Sequence, residues 1–574
     1  MISKKLCSIY TFFLVLLIFG YFYADMIFSL PLFGDATIQG SITKQIINNG
    51  VLNAKSSYPP LYHIFQGILF SFFGEKGMNF IVFLGILLIA ISIFLLTKEL
   101  AGKTSIALLS TIITLGSPKI IFYSARMYME ILISGFFIFS IYLLIKFIKN
   151  KSVKNLGLLS FFVGITASIK QQGLFILFFT ILLFLLVFLV KQHIKNRTEK
   201  ISNYNPFKGY ITIFISIFLV TTILPYLVLF HNYGKIMEGN EDFKIIKMTN
   251  IIGQKISGYE KAIEDIKLEK KWGQRLKEIE NKYYSVGAKR AEARHIWPWE
   301  PLTSWNKFTQ ANSLYLEKFW AGSTTKELTN IMNFSLVFGL IIFIFNLIFK
   351  NKILKFKEAK LLMPFSIFLI IFLGINYLLF VRNTDQMRYH LFIPILLSVF
   401  SAIGLYFLFK FIIEKTRVKY DGLIAIFLIL ALLLYSTITL AYKDTNFNKR
   451  WNRSQLYSPS KGGIASQMEV GSWLYKHTND NERIWQSCGN ELAYYSGRKV
   501  IGGFEYYFLN EAELKEIFKD TNIKYIALFD SQIVTDEKWE SLCWIPMSFA
   551  DKIRKIYPLV YGSSYGDIKI YGVL

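Results

Sequence analysis

Thirteen ionisable residues stand at one set of ends of the long apolar runs in this chain. The bases are Lys44, Lys55, Lys76, Lys119, Arg126, Lys170, Arg382 and Arg388, and the acids are Asp25, Asp35, Glu75, Glu130 and Asp385. A carboxylate can take a proton from a hydroxyl, and Arg or Lys can hold the oxygens of an anion such as a phosphate. Charge at the edge of a hydrocarbon layer is costly, which makes such groups functional candidates by default. Asp35 follows the first apolar run, and the competing reading of it is an N-cap carboxylate for the helix that begins there. Plain structural roles compete for the others too. Arg126 and Glu130 are four apart on one helix face and can pair. Arg382 and Arg388 flank Asp385 and can pair in a turn. Lys170 precedes Gln171-Gln172-Gly173 and can cap a helix end.

The runs between these residues must position them. Of 574 residues 53% are hydrophobic and only 18% charged, a profile that excludes a disordered chain and disfavours an ordinary soluble enzyme. A helix crosses the hydrocarbon layer with about 20 apolar residues. Runs of that kind fall at 7–28, 78–97, 104–122, 127–145, 155–170, 173–190, 209–230, 331–349, 361–381, 389–409 and 421–441. The expected fold class is therefore a polytopic α-helical membrane protein of about 11 transmembrane helices. The first run follows Lys4 and Lys5 and lacks a small-x-small cleavage site, so it reads as an uncleaved anchor.

The net charge of +25 would suggest nucleic acid in a soluble protein, but here its distribution decides. With the N-terminus inside, the short loops placed on the cytoplasmic side hold 22 Lys and Arg against five acids. The two large hydrophilic stretches, 231–330 and 443–574, are nearly balanced. The chain thus reads as N-terminus in and C-terminal region out, in the cytoplasmic membrane, with no nucleic-acid partner. Richness in Ile, Lys and Asn suggests a low-GC prokaryote.

After Tyr442 the pattern becomes that of a small extracytoplasmic α/β domain. Helices are expected at Gly463–His477, Glu491–Ser496 and Glu511–Asp520. Strands are expected at Arg483–Cys488, Val500–Gly502 and Tyr525–Phe529, and near Leu559–Tyr561 and Lys569–Val573. It carries no GxGxxG, P-loop, HExxH or nucleophile elbow, so it shapes or caps a site. The domains read as 1–442, with outer loops 29–77 and 231–330, followed by 443–574. Cys7, Cys488 and Cys543 have no CxxC spacing and read as unlinked thiols. Few acids cluster, and no metal site is expected.

The stretch after the first run holds the densest pattern. Leu32-Phe33-Gly34-Asp35-Ala36-Thr37 leads into Ile38, Ile42, Ile46 and Ile47, near helical spacing, which predicts a short amphipathic helix on the outer surface. Ser57-Tyr58-Pro59-Pro60 then breaks the chain, and Leu61–Phe73 reads as a second interfacial helix. His63 falls one turn past the prolines, where a surface position without a special role competes with an acceptor contact. A lone Asp, an amphipathic helix and xPPLYxxxxxxxFxxFG resemble the first outer loop of the GT-C membrane glycosyltransferases. The protein O-mannosyltransferases and the lipid A aminoarabinose transferases are the most similar branches. Tyr123–Glu130, Gly164–Lys170 and Arg388–Pro394 agree with the same pattern, as do the order of runs, the long late loop and the C-terminal domain.

The resemblance implies transfer of a sugar, a hexose or pentose, from a polyprenyl-phosphate donor to a glycan, lipid or protein acceptor on the outer membrane face. A polyprenyl phosphate is already a fair leaving group, so one base and several cations suffice, unlike the carboxylate pair of glycosidases. On this reading Asp35 is the base for an inverting attack. Lys55, Arg126, Lys170, Arg382 and Arg388 are phosphate-site candidates, with Tyr58, His63 and Glu130 beside them. The lipid-linked sugar is the only cofactor-like requirement, and metal dependence stays open. Trp297, Trp299, Trp305 and Trp320 mark either the membrane interface or a platform for the sugar or lipid chain.

Three departures limit the reading. Aminoarabinose transferases commonly carry a basic residue before the paired prolines; here it is Tyr58, and Lys55 would have to take its place. Protein mannosyltransferases show Asp-Glu where this chain has Asp35-Ala36, which weakens a protein acceptor. No WWD tripeptide occurs, which argues against an oligosaccharyltransferase. A transporter or flippase of lipid-linked saccharides would call for broken mid-membrane helices and repeated halves, neither of which is visible. A non-enzymatic envelope-assembly protein would leave Asp35 and the prolines without a purpose.

Overall fold

The computed structural model describes residues 4–29, 32, 35–53, 58–125, 128–150, 152–170, 206–237, 271–276, 278–279, 392–416, 464–487, 490–536 and 544–573. The chain divides into two compact units, one of Met1–Leu30, Tyr58–Phe230 and Ile296–Asp444, the other of Pro31–Ser57, His231–His295 and Thr445–Leu574. Up to residue 416 the described helices of eight or more residues are α1 (Lys4–Ser29), α2 (Asp35–Asn49), α3 (Leu61–Phe73), α4 (Glu75–Ala101), α5 (Thr104–Leu115), α6 (Pro118–Ala125), α7 (Glu130–Asn150), α8 (Val153–Ile169), α9 (Pro206–Met237) and α10 (Phe392–Thr416).

In the first unit Tyr10–Phe28, Glu75–Ala101, Glu130–Asn150 and Thr212–Leu229 are long and apolar enough to cross a membrane. The expected run 104–122 is not one helix. It stops at Leu115 and restarts at Pro118, because proline lacks an N–H and disfavours helical geometry in the residue before it. The expected runs 173–190, 331–349, 361–381 and 421–441 lie outside the described residues.

Lipid gives helices little hydrophobic reason to associate, so close backbone approach and side-chain hydrogen bonds must hold them. Gly85 of α4 meets α7 so closely that a Cβ there would lie 3.0 Å from the Leu132 Cα. Between α8 and α9 the Ser168 hydroxyl donates to the Thr221 carbonyl at 3.0 Å and Tyr226 donates to the Ala167 carbonyl at 3.2 Å. Between α5 and α10 the Ser398 hydroxyl lies 2.9 Å from that of Ser110 and 2.8 Å from that of Thr114. Tyr23 of α1 donates to the Leu115 carbonyl at 2.7 Å, satisfying one of the orphan acceptors at the end of α5.

The elbow between α3 and α4 turns on Gly74, at φ +60°, and on Gly77, where a Cβ would fall 2.0 Å from the Leu69 carbonyl oxygen. That contact is with backbone, so the two helices would have to part. Gly77→Ala is expected to cost about 1–3 kcal/mol. It would be read as a lower midpoint of thermal unfolding in detergent, and an unchanged midpoint would refute the tight elbow.

The second unit is built on a five-stranded sheet of order β2-β1-β3-β7-β6, from β1 (Arg483–Trp485), β2 (Lys499–Ile501), β3 (Ile523–Phe529), β6 (Leu559–Gly562) and β7 (Ile568–Gly572). A separate pair joins β4 (Ile533–Val534) and β5 (Ile545–Pro546). β1 runs parallel to β2 and β3, while β7 is antiparallel to β3 and β6. Strand side chains alternate between faces, and the two cores follow that period. Trp485, Ile501, Ile526, Leu528 and Tyr571 face one layer; Ile484, Val500, Ala527, Phe529 and Ile570 face the other. The remaining helices are α11 (Ile464–His477), α12 (Asn490–Ser496), α13 (Glu511–Asp520) and α14 (Met547–Ile556). Leu514, Ile517 and Phe518 of α13 and Phe549 and Ile553 of α14 cover the first face; Val470, Leu474 and Leu492 of α11 and α12 cover the second. The expected strands and helices of this region are present within a few residues. Helix α14 and the β4–β5 pair were not foreseen.

The long loop contributes to the same core. Residues 271–276 are helical and bury Trp272 and Leu276, with Ile279, against the α13 layer. The Trp272 indole and the Lys271 ammonium both donate to Asp520, at 2.9 and 2.8 Å. The Lys271 bond, then that of Trp272, holds the Asp520 carboxyl below the usual range. Cys488, Cys543 and the four Trp residues from 297 to 320 lie outside the described residues.

Candidate active site

Helices α7 and α8 follow one another across a two-residue link, so the head of α7 lies beside the tail of α8. Glu130 is the first residue of α7 and Lys170 is the C-cap of α8. An acid is favoured at a helix head and a base at a helix tail by the macrodipole. The two ends meet as a buried ion pair, Lys170 Nζ 2.6 Å from Glu130 Oε1, with side chains 8% and 5% exposed. Lys170 Nζ also lies 5.3 Å from the centroid of the Tyr58 ring, within cation–π range.

Helix α3 begins directly after Tyr58-Pro59-Pro60 and packs against both α4 and α8. It buries Tyr62, His63, Gln66 and Gly67 and exposes Phe65, Ile68, Phe72 and Phe73. This corrects the surface position expected for His63, which is fully buried with its ring edge-on to Tyr62 at 5.5 Å. The polar stripe of α3 points inward and its apolar face outward, the arrangement of a helix whose outer solvent is hydrocarbon. The first unit therefore brings Tyr58, Glu130 and Lys170 together beside α8, against which both α3 and α7 pack.

Asp35 is the first residue of α2 in the second unit. The amphipathic helix expected at 38–47 exists, but it does not lie bare on a surface. Ile38, Ile42 and Ile46 are buried, together with Thr37 and Thr43, and α2 packs on α12.

The family model described as dolichyl-phosphate-mannose-protein mannosyltransferase matches residues 57–233. No curated protein sequence matches the chain. Among solved structures, apo ArnT from Cupriavidus metallidurans superposes with a TM-score of 0.55 at 10% identity, over 100% of this chain and 99% of that one. The same enzyme bound to undecaprenyl phosphate gives 0.52 at 11% identity, over 99% and 98%. The Archaeoglobus fulgidus oligosaccharyltransferase with Zn and sulfate gives 0.54 at 11% identity, over 97% of this chain and 73% of its own.

The chain has the GT-C fold. It is a multi-pass helical membrane protein of GT-C architecture, carrying an α/β region after the last described membrane helix. Within this GT-C frame Lys55, Arg126, Arg382 and Arg388 lie outside the described residues, and nothing is stated of their surroundings. Glu130 has Lys170 as a partner, where the sequence had offered Arg126. Lys44 belongs to the second unit, with its ammonium 3.9 Å from the Tyr494 ring centroid. Among the described residues no group of three or more His, Cys, Asp or Glu is gathered. Sequence reasoning missed Tyr62, although a signal existed. Tyr62, His63 and Gln66 repeat at helical spacing on an otherwise apolar helix, so the polar face is the one that must be sheltered.

Proposed function

We propose that the protein is a GT-C glycosyltransferase that moves a sugar from a polyprenyl-phosphate carrier to an acceptor hydroxyl on the outer face of the membrane. The observation that carries the reading is the end-to-end likeness to ArnT, whose bound form holds undecaprenyl phosphate. The match of residues 57–233 to a dolichyl-phosphate-mannose family supports the same donor chemistry.

In the proposed reaction Asp35 takes the acceptor proton as the acceptor oxygen bonds to the anomeric carbon. The bond from that carbon to the phosphate oxygen breaks, and the polyprenyl phosphate leaves with the electron pair. Attack from the opposite face inverts the anomeric centre. A carboxylate at the head of a helix suits the role, since the macrodipole favours the anion there. Lys170, its ammonium held in place by Glu130, neutralises the departing phosphate, with Tyr58 lining the site; Lys55, Arg126, Arg382 and Arg388 are the other proposed cations. His63, buried edge-on to Tyr62, is proposed to line the same site. The N-terminus is proposed to be cytoplasmic and residues 443–574 extracytoplasmic.

The test is to give purified protein in lipid nanodiscs a panel of labelled polyprenyl-phosphate sugars with extracted envelope acceptors. Transfer with inverted anomeric configuration, read by NMR, is the expected result. Retained configuration would overturn the single-displacement mechanism, and no transfer from any donor would overturn the activity.

A further inference from the structure

The α/β region touches the segment around Asp35, and two of its contacts flank that residue in sequence. Tyr495 of α12 donates its hydroxyl to the carbonyl of Leu32 at 2.5 Å, three residues before Asp35. Lys44 of α2 stands over the ring of the adjacent Tyr494, 3.9 Å from its centroid. Lys44 is nine residues beyond Asp35, about 13 Å along the helix axis at 1.5 Å per residue. One anchor therefore lies on each side of Asp35 in sequence, and both come from neighbouring residues of one short helix.

That helix is itself firmly seated. Tyr494 is 3% exposed, and its ring is edge-on to that of Tyr495 at 5.1 Å. Leu492 lies in the core beneath the sheet. A Cβ on Gly471 of α11 would come within 2.7 Å of the Tyr495 Cβ, so α12 sits hard against α11. The chain of contacts runs from the sheet through α11 and α12 to α2.

Resting on the assignment of Asp35 as the base, we infer that Tyr495 and the Lys44–Tyr494 pair are positioning residues. They fix where the head of α2 stands and so where the base meets the acceptor. One point holds the helix itself at Lys44 and the other holds the chain three residues ahead of Asp35, so the head of α2 is tethered from both sides. A shift of about 1 Å at a reacting group can cost about 10²-fold in rate. The α/β region on this account is the jig for the catalytic carboxylate.

The test uses the full chain in nanodiscs. Tyr495→Phe removes one hydroxyl and keeps the ring, and Lys44→Met removes the charge. Each is expected to lower kcat about tenfold or more with the donor KM and the thermal midpoint unchanged. Lys44→Arg and Tyr494→Phe, which preserve the cation over a ring, are expected to keep wild-type turnover. Hydrogen exchange should quicken at the amides of residues 39–48 in Tyr495→Phe and Lys44→Met, but not in α13. Wild-type kcat in both variants would overturn the inference. So would a loss of turnover that merely follows a lowered midpoint, or exchange in α2 that does not change. Failure of the underlying assignment is seen separately, as full turnover by an Asp35 variant, and the exchange measurement does not depend on it.

Discussion

Asp35→Asn is expected to lower transfer turnover by about 10²–10⁴-fold, the usual worth of a general base, while the donor still binds. Asn is the stringent choice. It matches Asp in size and costs α2 only the charge–dipole contribution, about 0.3–1 kcal/mol. What it cannot do is accept the acceptor proton. Radiolabelled donor gives turnover and binding in one experiment. Undiminished turnover by the variant would remove Asp35 from the mechanism and leave it a charge that favours the head of α2.

The second large effect concerns the Glu130–Lys170 pair. Both side chains are almost wholly buried and 2.6 Å apart, so removing one charge strands the other in a poorly solvating site. Glu130→Gln is expected to destabilise the protein by about 3–5 kcal/mol. Replacing both, as Glu130→Leu with Lys170→Met, should recover most of that loss, because no buried charge remains. The two variants separate architecture from chemistry. If Lys170 serves the departing phosphate, the double variant melts near the wild-type temperature yet turns over poorly. A double variant with normal turnover would leave the pair a purely structural clasp between α7 and α8.

Much of this was legible in the sequence, and the failures have physical causes. Helix α3 is legible at Leu61–Phe73 because Pro59-Pro60 fixes its start and Gly74 its end. Helix α13 was placed at Glu511–Asp520, where Asn510 and Glu513 close a capping box and the apolar spacing is strong. The core strands were found because each is a short apolar run with its own flanking turns. The inward side of His63 is hidden from a sequence pattern that puts water outside α3, because a hydrocarbon surround reverses the sign of amphipathicity. The packing of α2 on α12 joins residues some 450 apart in sequence, beyond the reach of any local pattern. The Glu130–Lys170 pair joins residues 40 apart, and only the antiparallel packing of two helices reveals it. The break in the third run was available from Gly116-Ser117-Pro118 but was outweighed by the apolar residues around it.

The hydroxyl cluster of Ser110, Thr114 and Ser398 has a consequence in time. Helix α5 has 12 residues, too few to span a bilayer on its own, and it shares its polar side chains with a helix made much later. Thr114 and Ser398 are separated by 284 residues. At about 5–20 residues per second of synthesis, α5 waits roughly 15–60 s for that partner. Through that interval its hydroxyls must bond back to their own helix or to trapped water. The first part of this protein therefore enters the membrane incomplete, and its biogenesis depends on whatever shelters a short polar-faced helix for that long.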